Sequence, residues 1–389
     1  MKKTVKIGEI CDILNGYAFK SDKYVEEGIR IIRIANVQKG YLEDSTPQYY
    51  PLDAAPELSK YMLEENDLLM SLTGNVGRVA LLTAEMLPAA LNQRVACLRI
   101  KDYSMLRKDF LYQLLNSDYF EAQCILASKG IAQKNLSTEW LKEYEIPLFT
   151  QEEQIAISKE LMSIDSLITA RREQLAKLDE LVKSRFIEMF GDQRTNPFGW
   201  DMVTIGDIAT EVRYGTSRPA VEGGKYPYLR MNNLTYEGYL DLTDLKYIDI
   251  PDNEIEKCVV RKGDVLFNRT NSVELVGKTC VYNLDYDMII AGYIIRVRID
   301  DSMLPVVLSN YLNSTVLKEQ LRSMAKGAVN QANINAQELQ SIPIYLPPID
   351  LQYEFVAFVE QIDKSKFEIQ KSLEKLETLK KALMQKYFG

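Results

Sequence analysis

The sequence predicts an α+β protein: two tandem α/β domains separated by two long helices that form an antiparallel coiled coil with approximate two-fold symmetry. The first observation behind this prediction is an internal repeat with a period of about 198 residues. The second is that short apolar runs alternate with Gly, Asn and Pro over the first ~150 residues of each copy, which is typical of strands and loops. The third is a helical apolar stripe in the rest of each copy.

The repeat extends along the whole chain of 389 residues. Matching segments follow one another in the same order at a nearly constant offset: 7–10 with 205–208, 67–70 with 264–267, 115–117 with 312–314, 146–148 with 342–344, and 190–191 with 388–389. So many ordered matches indicate a duplicated module. We therefore predict globular domains at 1–149 and 192–347, with helical segments at 150–191 and 348–389.

The two helical segments carry the signals of long helices. Residues 150–153 have the spacing of a capping box, and prolines precede both segments. Apolar residues then recur at intervals of three and four, which predicts helix pairing through Leu161, Ile164, Ile168, Leu175, Leu178, Val182, Val359, Ile362, Ile369, Leu373 and Leu376. The alternative is that each helix packs on the surface of its own domain. A seam of ~35 residues, roughly 50 Å, is more than one small domain covers.

Composition excludes several classes of function. The chain has no His, which removes the commonest general base, the Ser-His and Cys-His pairs and most zinc sites. The five Cys form no CxxC pair, so we expect free thiols in a reducing cytoplasm. Neither a signal peptide nor an apolar run of membrane-spanning length is evident. The net charge of −8 argues against a broad basic surface for nucleic acid.

Catalytic motifs are also absent from the sequence. Gly-x-x-x-x-Gly-Lys-Ser/Thr does not occur, so no P-loop is predicted. Asn196-Pro197-Phe198 lacks the second proline of the adenine methyltransferase motif and lies between a helix and a domain. We therefore predict a non-catalytic chain that holds neither metal nor cofactor.

Polar and basic side chains cluster beside glycines in the loops of both copies. Arg and Lys can donate to guanine, Asn and Gln can pair with adenine, and Gly allows close approach to phosphate. The predicted DNA contacts of the first domain are Lys20, Arg33, Asn36, Asn75, Arg78, Lys129, Gln133, Lys134 and Asn135. Those of the second are Arg213, Tyr214, Thr216, Arg218, Arg230, Asn268, Arg269, Asn271, Lys278, Lys326, Asn330 and Gln331. The alternative for each is an ordinary role in a turn.

From about residue 4 to the end, the chain resembles the specificity subunit of type I restriction-modification systems. The resemblance is carried by the entry motif at 7–10 and 205–208 and by the turns at 66–69 and 263–266. It is also carried by the Lys-Gly…Gln-x-Asn and Ile-Pro-Leu/Ile motifs, the glutamines that open the long helices, and the exits 184–191 and 382–389.

The resemblance implies two target-recognition domains, each reading one half of a split site in double-stranded DNA. The helices would set the spacer and dock two modification subunits, which carry S-adenosylmethionine and methylate adenine. A restriction subunit using ATP and Mg would join them. Partners that share the phosphate contacts would explain the negative net charge. The DNA-contact residues themselves do not carry over, because such domains diverge with their sites.

Two other functions remain open at this point. One is a self-contained methyltransferase or nuclease, and the other is an assembly scaffold or decoy without sequence preference. Service to a fused cleavage-methylation enzyme, in place of separate subunits, is a variant of the leading hypothesis.

Overall fold

The computed structural model describes residues 3–128, 134–325 and 332–389. Contacts divide the chain into two compact units. The first runs to Arg172 and also includes Lys371–Gly389, and the second is Glu173–Gln370. Each unit therefore combines one globular part of the repeat with a segment from each long helix.

The globular part of the first unit mixes short strands with short helices. Its strands are β1 (Thr4–Lys6), β2 (Cys11–Asn15), β3 (Ile29–Ile32), β4 (Tyr49–Tyr50), β5 (Leu68–Ser71), β6 (Val79–Leu81), β7 (Ala89–Leu91), β8 (Val95–Ile100) and β9 (Glu145–Pro147). Its helices are α1 (Ile7–Ile10), α2 (Lys108–Leu115), α3 (Asp118–Ala127) and α4 (Thr138–Glu143), and the long helix α5 (Gln151–Phe190) follows.

The second copy repeats this element order with additions. Its strands are β10 (Asp201–Thr204), β11 (Ala209–Tyr214), β12 (Tyr226–Leu229), β13 (Lys246–Ile248), β14 (Val259–Val260), β15 (Val265–Asn268), β16 (Thr270–Asn271), β17 (Thr279–Val281), β18 (Met288–Ile290), β19 (Ile294–Ile299), β20 (Ala332–Asn333) and β21 (Pro343–Leu346). Its helices are α6 (Ile205–Ile208), α7 (Asp252–Cys258), α8 (Pro305–Asn313), α9 (Thr315–Met324), α10 (Ala336–Gln340) and α11 (Ile349–Phe388).

The sheets of the two copies have the same strand order. An antiparallel sheet β2-β8-β5-β6 in the first copy corresponds to β11-β19-β15-β17 in the second. The sheet β4-β3-β7 corresponds to β13-β12-β18, which β14 extends, and in each copy one neighbouring pair is parallel. The pairs β1-β9 and β10-β21 also match. The fold thus repeats with the sequence.

The repeated Asp-Leu/Val-Leu motif forms a turn that an ion pair holds in place. Asp67 accepts a hydrogen bond from the backbone N–H of Glu64 at 2.8 Å and binds Arg99 at 2.7 Å. Asp264 does the same with the N–H of Arg261 and with Arg298, both at 2.8 Å. Asn66 and Gly263, the residues just before, have φ of 64° and 94°, which Gly and Asn tolerate best. This motif is therefore structural.

Both long helices contain 40 residues and begin where the sequence signals indicate. In α5 the predicted capping box is present, since Glu153 accepts from the N–H of Thr150 at 2.8 Å and Thr150 accepts from the N–H of Glu153 at 3.3 Å. Helix α11 begins directly after Pro347-Pro348. Within the described residues, no helix is both long enough and apolar enough to cross a membrane.

Segments of α5 and α11 run antiparallel inside each unit. In the first unit, Glu160 contacts Tyr387 at 2.7 Å, Asp165 contacts Lys380 at 2.5 Å and Arg172 contacts Glu377 at 2.7 Å. In the second unit, Asp179 is paired with Lys366, and the rings of Phe186 and Phe355 have centroids 5.4 Å apart. In both units the residue numbers rise along one helix as they fall along the other.

The predicted seam residues are buried or half-buried. Buried ones are Leu161, Ile164, Ile168, Val182, Val359, Ile362 and Leu373, and half-buried ones are Leu175, Leu178, Ile369 and Leu376. The stripe takes part in both kinds of packing considered above, helix against helix and helix against domain, because residues at its ends also belong to domain cores. Leu161 lies in the first unit's core with Phe388, and Val182, Val359 and Ile362 lie in the second unit's core.

A buried glutamine in the first turn of each long helix ties the helix to its domain. Gln154 accepts from the N–H of Arg107 at 2.9 Å and donates to the carbonyls of Met105 and Phe149 at 2.8 and 2.9 Å. Gln352 accepts from the N–H of Leu304 at 2.8 Å and donates to the carbonyls of Ser302 and Pro347, both at 2.9 Å. Both glutamines are fully buried, so each amide satisfies three backbone groups that water does not reach.

We predict that Gln154→Ala lowers the free energy of unfolding of the first unit by about 2–4 kcal/mol, because it leaves buried backbone groups without partners. This corresponds to a fall in Tm on the order of 10 °C, measured by calorimetry. Lys159→Ala, an exposed position on the same helix, is the control and should change Tm little. Equal Tm values for the two variants would show that the glutamine is not a structural tie.

Candidate nucleic-acid interface

Four loops of the second domain converge through backbone hydrogen bonds. The N–H of Ile334 donates to the carbonyl of Arg269 at 2.9 Å, and the N–H of Arg269 donates to the carbonyl of Tyr293 at 3.0 Å. The N–H of Gly292 donates to the carbonyl of Thr216 at 2.8 Å. The loops around 214–216, 269–272, 291–293 and 332–336 therefore form one continuous surface.

The first domain has the same backbone frame. The N–H of Leu136 donates to the carbonyl of Leu72 at 2.8 Å, and the N–H of Leu72 donates to the carbonyl of Arg94 at 3.0 Å. The N–H of Gln93 donates to the carbonyl of Tyr17 at 2.9 Å. We call the set 15–17, 72–75, 92–94 and 134–136, with its counterpart in the second domain, the four-loop surface.

In each domain, a glycine in the first loop of the four-loop surface allows that loop to approach the third loop closely. A Cβ atom on Gly16 would collide with the backbone of Asn92, and one on Gly215 would collide with the carbonyl of Ile290. Any larger residue at these positions would push the loops apart. The glycines that the sequence places beside Asn15 and Tyr214 are thus required by loop packing.

A Thr–Asn hydrogen bond joins two of the loops in each domain. Thr73 Oγ1 donates to Asn135 Oδ1 at 2.9 Å, and Thr270 Oγ1 donates to Asn333 Oδ1 at 2.8 Å. Both asparagines are exposed. Because the side-chain oxygen of each asparagine accepts from the threonine hydroxyl, the amide nitrogen remains available as a donor. Asn135 was predicted from sequence; Asn333 was missed, although the repeat aligns it with Asn135.

The second domain places predicted residues of two loops side by side on this surface. The guanidinium carbon of Arg269 lies 4.8 Å from the centre of the Tyr214 ring. Asn271 donates from Nδ2 to Asn268 Oδ1 at 3.0 Å, and Asn268 itself is fully buried. Asn268 therefore supports the surface from below, while Tyr214 is exposed and Arg269 and Asn271 are half-buried at the surface.

The first domain presents other side chains on its surface. Asn75, Lys134 and Asn135 are predicted residues that lie exposed on it. Arg94 is exposed in the loop between β7 and β8 and was missed by the sequence analysis, as was its counterpart Tyr293, which is 51% exposed.

Three predicted contacts, Arg33, Asn36 and Arg230, have their functional groups engaged within their own domains, as does Asn233, which corresponds to Asn36 in the repeat. Asn36 accepts from the N–H of Arg33 at 2.9 Å and donates to the carbonyl of Glu43 at 2.7 Å. Asn233 accepts from the N–H of Arg230 at 2.8 Å and donates to the carbonyl of Asp241 at 2.8 Å. Both asparagines are buried, and Arg33 and Arg230 bind the carbonyls of Thr46 and Asp244. These residues hold turns together, so we do not include them in the interface.

Other predicted basic residues are also occupied. Lys278 is buried and donates to the carbonyl of Met231 at 2.8 Å, and burial lowers its pKa. Arg78 donates to the side chain of Gln38, and Arg213 pairs with Glu211 at 3.1 Å. Arg218 binds Glu254 at 2.8 and 3.1 Å, and this hydrogen bonding raises its pKa.

The remaining predicted residues fall at the margin of the surface or beyond it. Thr216 lies in the surface, and its Oγ1 accepts from the N–H of Arg218 at 3.2 Å. Lys20 is exposed outside the four loops. The predictions at Lys129, Gln133, Lys326, Asn330 and Gln331 lie outside the described residues.

Comparison with known proteins identifies the family. The model of the type I restriction modification DNA specificity domain matches residues 2–180 and 197–381, one match for each copy of the repeat. The specificity subunit of the type I restriction enzyme EcoKI from Escherichia coli K12 is 20% identical over 407 residues, covering 98% of this chain and 87% of that protein.

Solved structures share the fold over the full length. The specificity subunit from M. genitalium has a TM-score of 0.56 at 18% identity, covering all of this chain and 96% of the other. A chain from a study of complex assembly and conformational transition of the type I restriction-modification system has a TM-score of 0.58 at 20% identity, covering 99% and 97%. The chain accordingly belongs to the specificity subunits of type I restriction-modification systems, and it carries two copies of the family's DNA specificity domain.

Proposed function

We propose that each domain of this subunit reads one half of a bipartite site in double-stranded DNA through its four-loop surface. The observation that carries the proposal is that the two surfaces share a backbone frame and differ in their side chains. Asn15, Leu72 and Arg94 in the first domain stand where Tyr214, Arg269 and Tyr293 stand in the second. A common frame with different donors and apolar groups suits two readers of different base sequences.

In this proposal the chemistry belongs to partner subunits in the cytoplasm. Two modification subunits with S-adenosylmethionine would methylate adenine, and restriction subunits with ATP and Mg would translocate and cleave. Support comes from the family match and from the net charge of −8, since a subunit with this charge needs partners to supply phosphate contacts. This chain would supply sequence recognition and a docking frame.

The long helices would determine the distance between the half-sites. A helix of 40 residues is about 60 Å long, compared with ~34 Å for one turn of duplex. The antiparallel contacts within each unit support pairing between α5 and α11. If the paired helices act as a spacer, their length sets how many unread base pairs separate the two half-sites.

We predict that exchanging residues 1–149 for the matching domain of another specificity subunit changes one half of the methylated motif and leaves the other half intact. The reason is that the second domain's four-loop surface is built only from its own residues. The measurement is sequencing of methylated adenines in cells that carry the chain with its partners.

The control for this exchange is replacement of 192–347, which should change the opposite half. A simultaneous change in both halves would contradict independent reading. Random methylation, or none at a defined motif, would favour a scaffold, and methylation by the purified chain alone would favour a self-contained enzyme.

We predict that inserting four residues after Arg172 and four after Gln370 lengthens the unread spacer by one or two base pairs. Four residues add about 6 Å of helix, close to one full turn, so the apolar stripe stays on the same face. Insertion in only one helix is the control, and it should reduce methylation because the facing residues no longer match. An unchanged spacer in the double insertion would rule out the helices as the ruler.

A further inference from the structure

Arg269 differs from its neighbours in having no acidic partner. Of the nine arginines in residues 192–347, seven form an ion pair with Asp or Glu: Arg194, Arg213, Arg218, Arg230, Arg261, Arg296 and Arg298. Among the described residues the other two, Arg269 and Arg322, form none, and Arg322 instead donates to the hydroxyl of Tyr236 at 3.0 Å. Within the part of the chain that the structure describes, Arg269 forms no ion pair, and its buried Nε has no hydrogen-bond partner. A charged group held without a counter-ion on a surface is suited to an external acceptor.

Its surroundings hold this guanidinium in a defined position. The backbone of Arg269 is fixed on both sides, by its N–H to the carbonyl of Tyr293 and by its carbonyl to the N–H of Ile334. The side chain lies over the ring of Tyr214, and the hydroxyl of Tyr214 accepts from the N–H of Ala336 at 2.7 Å. Stacking on an anchored ring reduces the rotamer freedom that an exposed arginine would otherwise lose on binding.

Comparison with the first copy indicates what the acceptor is. The corresponding pair in the first domain is Leu72 and Asn15, and Leu72 is only 7% exposed. Phosphate is present in both half-sites, so a phosphate contact has no reason to be confined to one copy. A group that occurs in only one domain is suited to a feature of only one half-site, which is a base. Among base edges in the major groove, arginine matches the O6 and N7 acceptors of guanine.

We propose that Arg269 reads a guanine in the half-site bound by the second domain and that Tyr214 is its positioning residue. This inference rests on the proposed function, because it assumes that the second four-loop surface faces DNA bases. It names one specificity-determining side chain and one base, so it can fail while bipartite recognition stands.

The test uses the full chain with its partner subunits and sequencing of methylated adenines. The exchange of residues 192–347 identifies the half-site that the second domain reads, because that half of the motif changes. In the wild-type motif, this half-site should contain a guanine. Arg269→Ala should reduce the preference for that guanine by about ten- to a hundredfold, with the other half-site unchanged. Arg269→Gln should shift the preference at that position towards adenine, the base that glutamine pairs with.

The control variant is Arg261→Ala, an arginine of the same domain that is already paired with Glu256 at 2.7 Å and with Asp287 at 3.4 Å. It should leave the motif unchanged. Tyr214→Ala, which removes the stacked ring, should relax the same position as Arg269→Ala, whereas Tyr214→Phe keeps the ring and should relax it less.

Three results would overturn the inference while leaving the proposed function in place. One is a wild-type bipartite motif without guanine in that half-site. Another is an unchanged motif in both Arg269 variants. The third is a uniform loss of methylation without relaxation at any position, which indicates a phosphate contact. A wild-type complex with no bipartite motif would instead refute the proposed function, and this inference with it.

Discussion

Burial of aromatic side chains from the ends of the long helices is the constraint on which the rest of the structure depends. Phe388 of α11 packs on Phe110 in the first unit at 5.6 Å, and Phe186 of α5 packs on Phe355 in the second at 5.4 Å. Neither core is complete with the residues of its own sequence copy alone. Since apolar burial is the main stabilising term in folding, each domain depends on a helix supplied by the other half of the chain. Gln154 and Gln352 then fix the start of each helix to its domain.

The two copies of the repeat differ mainly at surface positions, where a change of side chain does not disturb the backbone of the domain. The Asp–Arg turns, the Thr–Asn links and the glycines at close loop contacts are the same in both copies, because each maintains backbone geometry. Side chains such as Asn15 and Tyr214, or Leu72 and Arg269, differ although they stand at equivalent places. Replacing them alters what the surface presents while the hydrogen bonds beneath it remain. In the proposed function, this separation of structural residues from surface residues would allow one fold to read two different half-sites.

The fold was more accessible from the sequence than the site was. The repeat, the capping box at Thr150 and the apolar stripe are signals set by chain geometry, and the helices begin close to where these signals lie. Loop residues give no comparable signal, because an Asn that caps a turn and an Asn that faces solvent have the same neighbours in sequence. The predicted contacts Asn36 and Asn268 proved to be buried, and Arg94 and Tyr293 were overlooked in a short turn between apolar strands. Ion pairing, which separates Arg218 from Arg269, is visible only in three dimensions.

The most direct test of the shared-core account is to produce residues 1–191 and 192–389 as separate chains and measure their states of association by analytical ultracentrifugation and their melting by calorimetry. Each fragment lacks the helix end that fills its core, so we expect neither to be a stable monomer. Together they should form a one-to-one complex with a melting transition close to that of the intact chain. Two fragments that are each monomeric, with undiminished melting transitions of their own, would contradict the account.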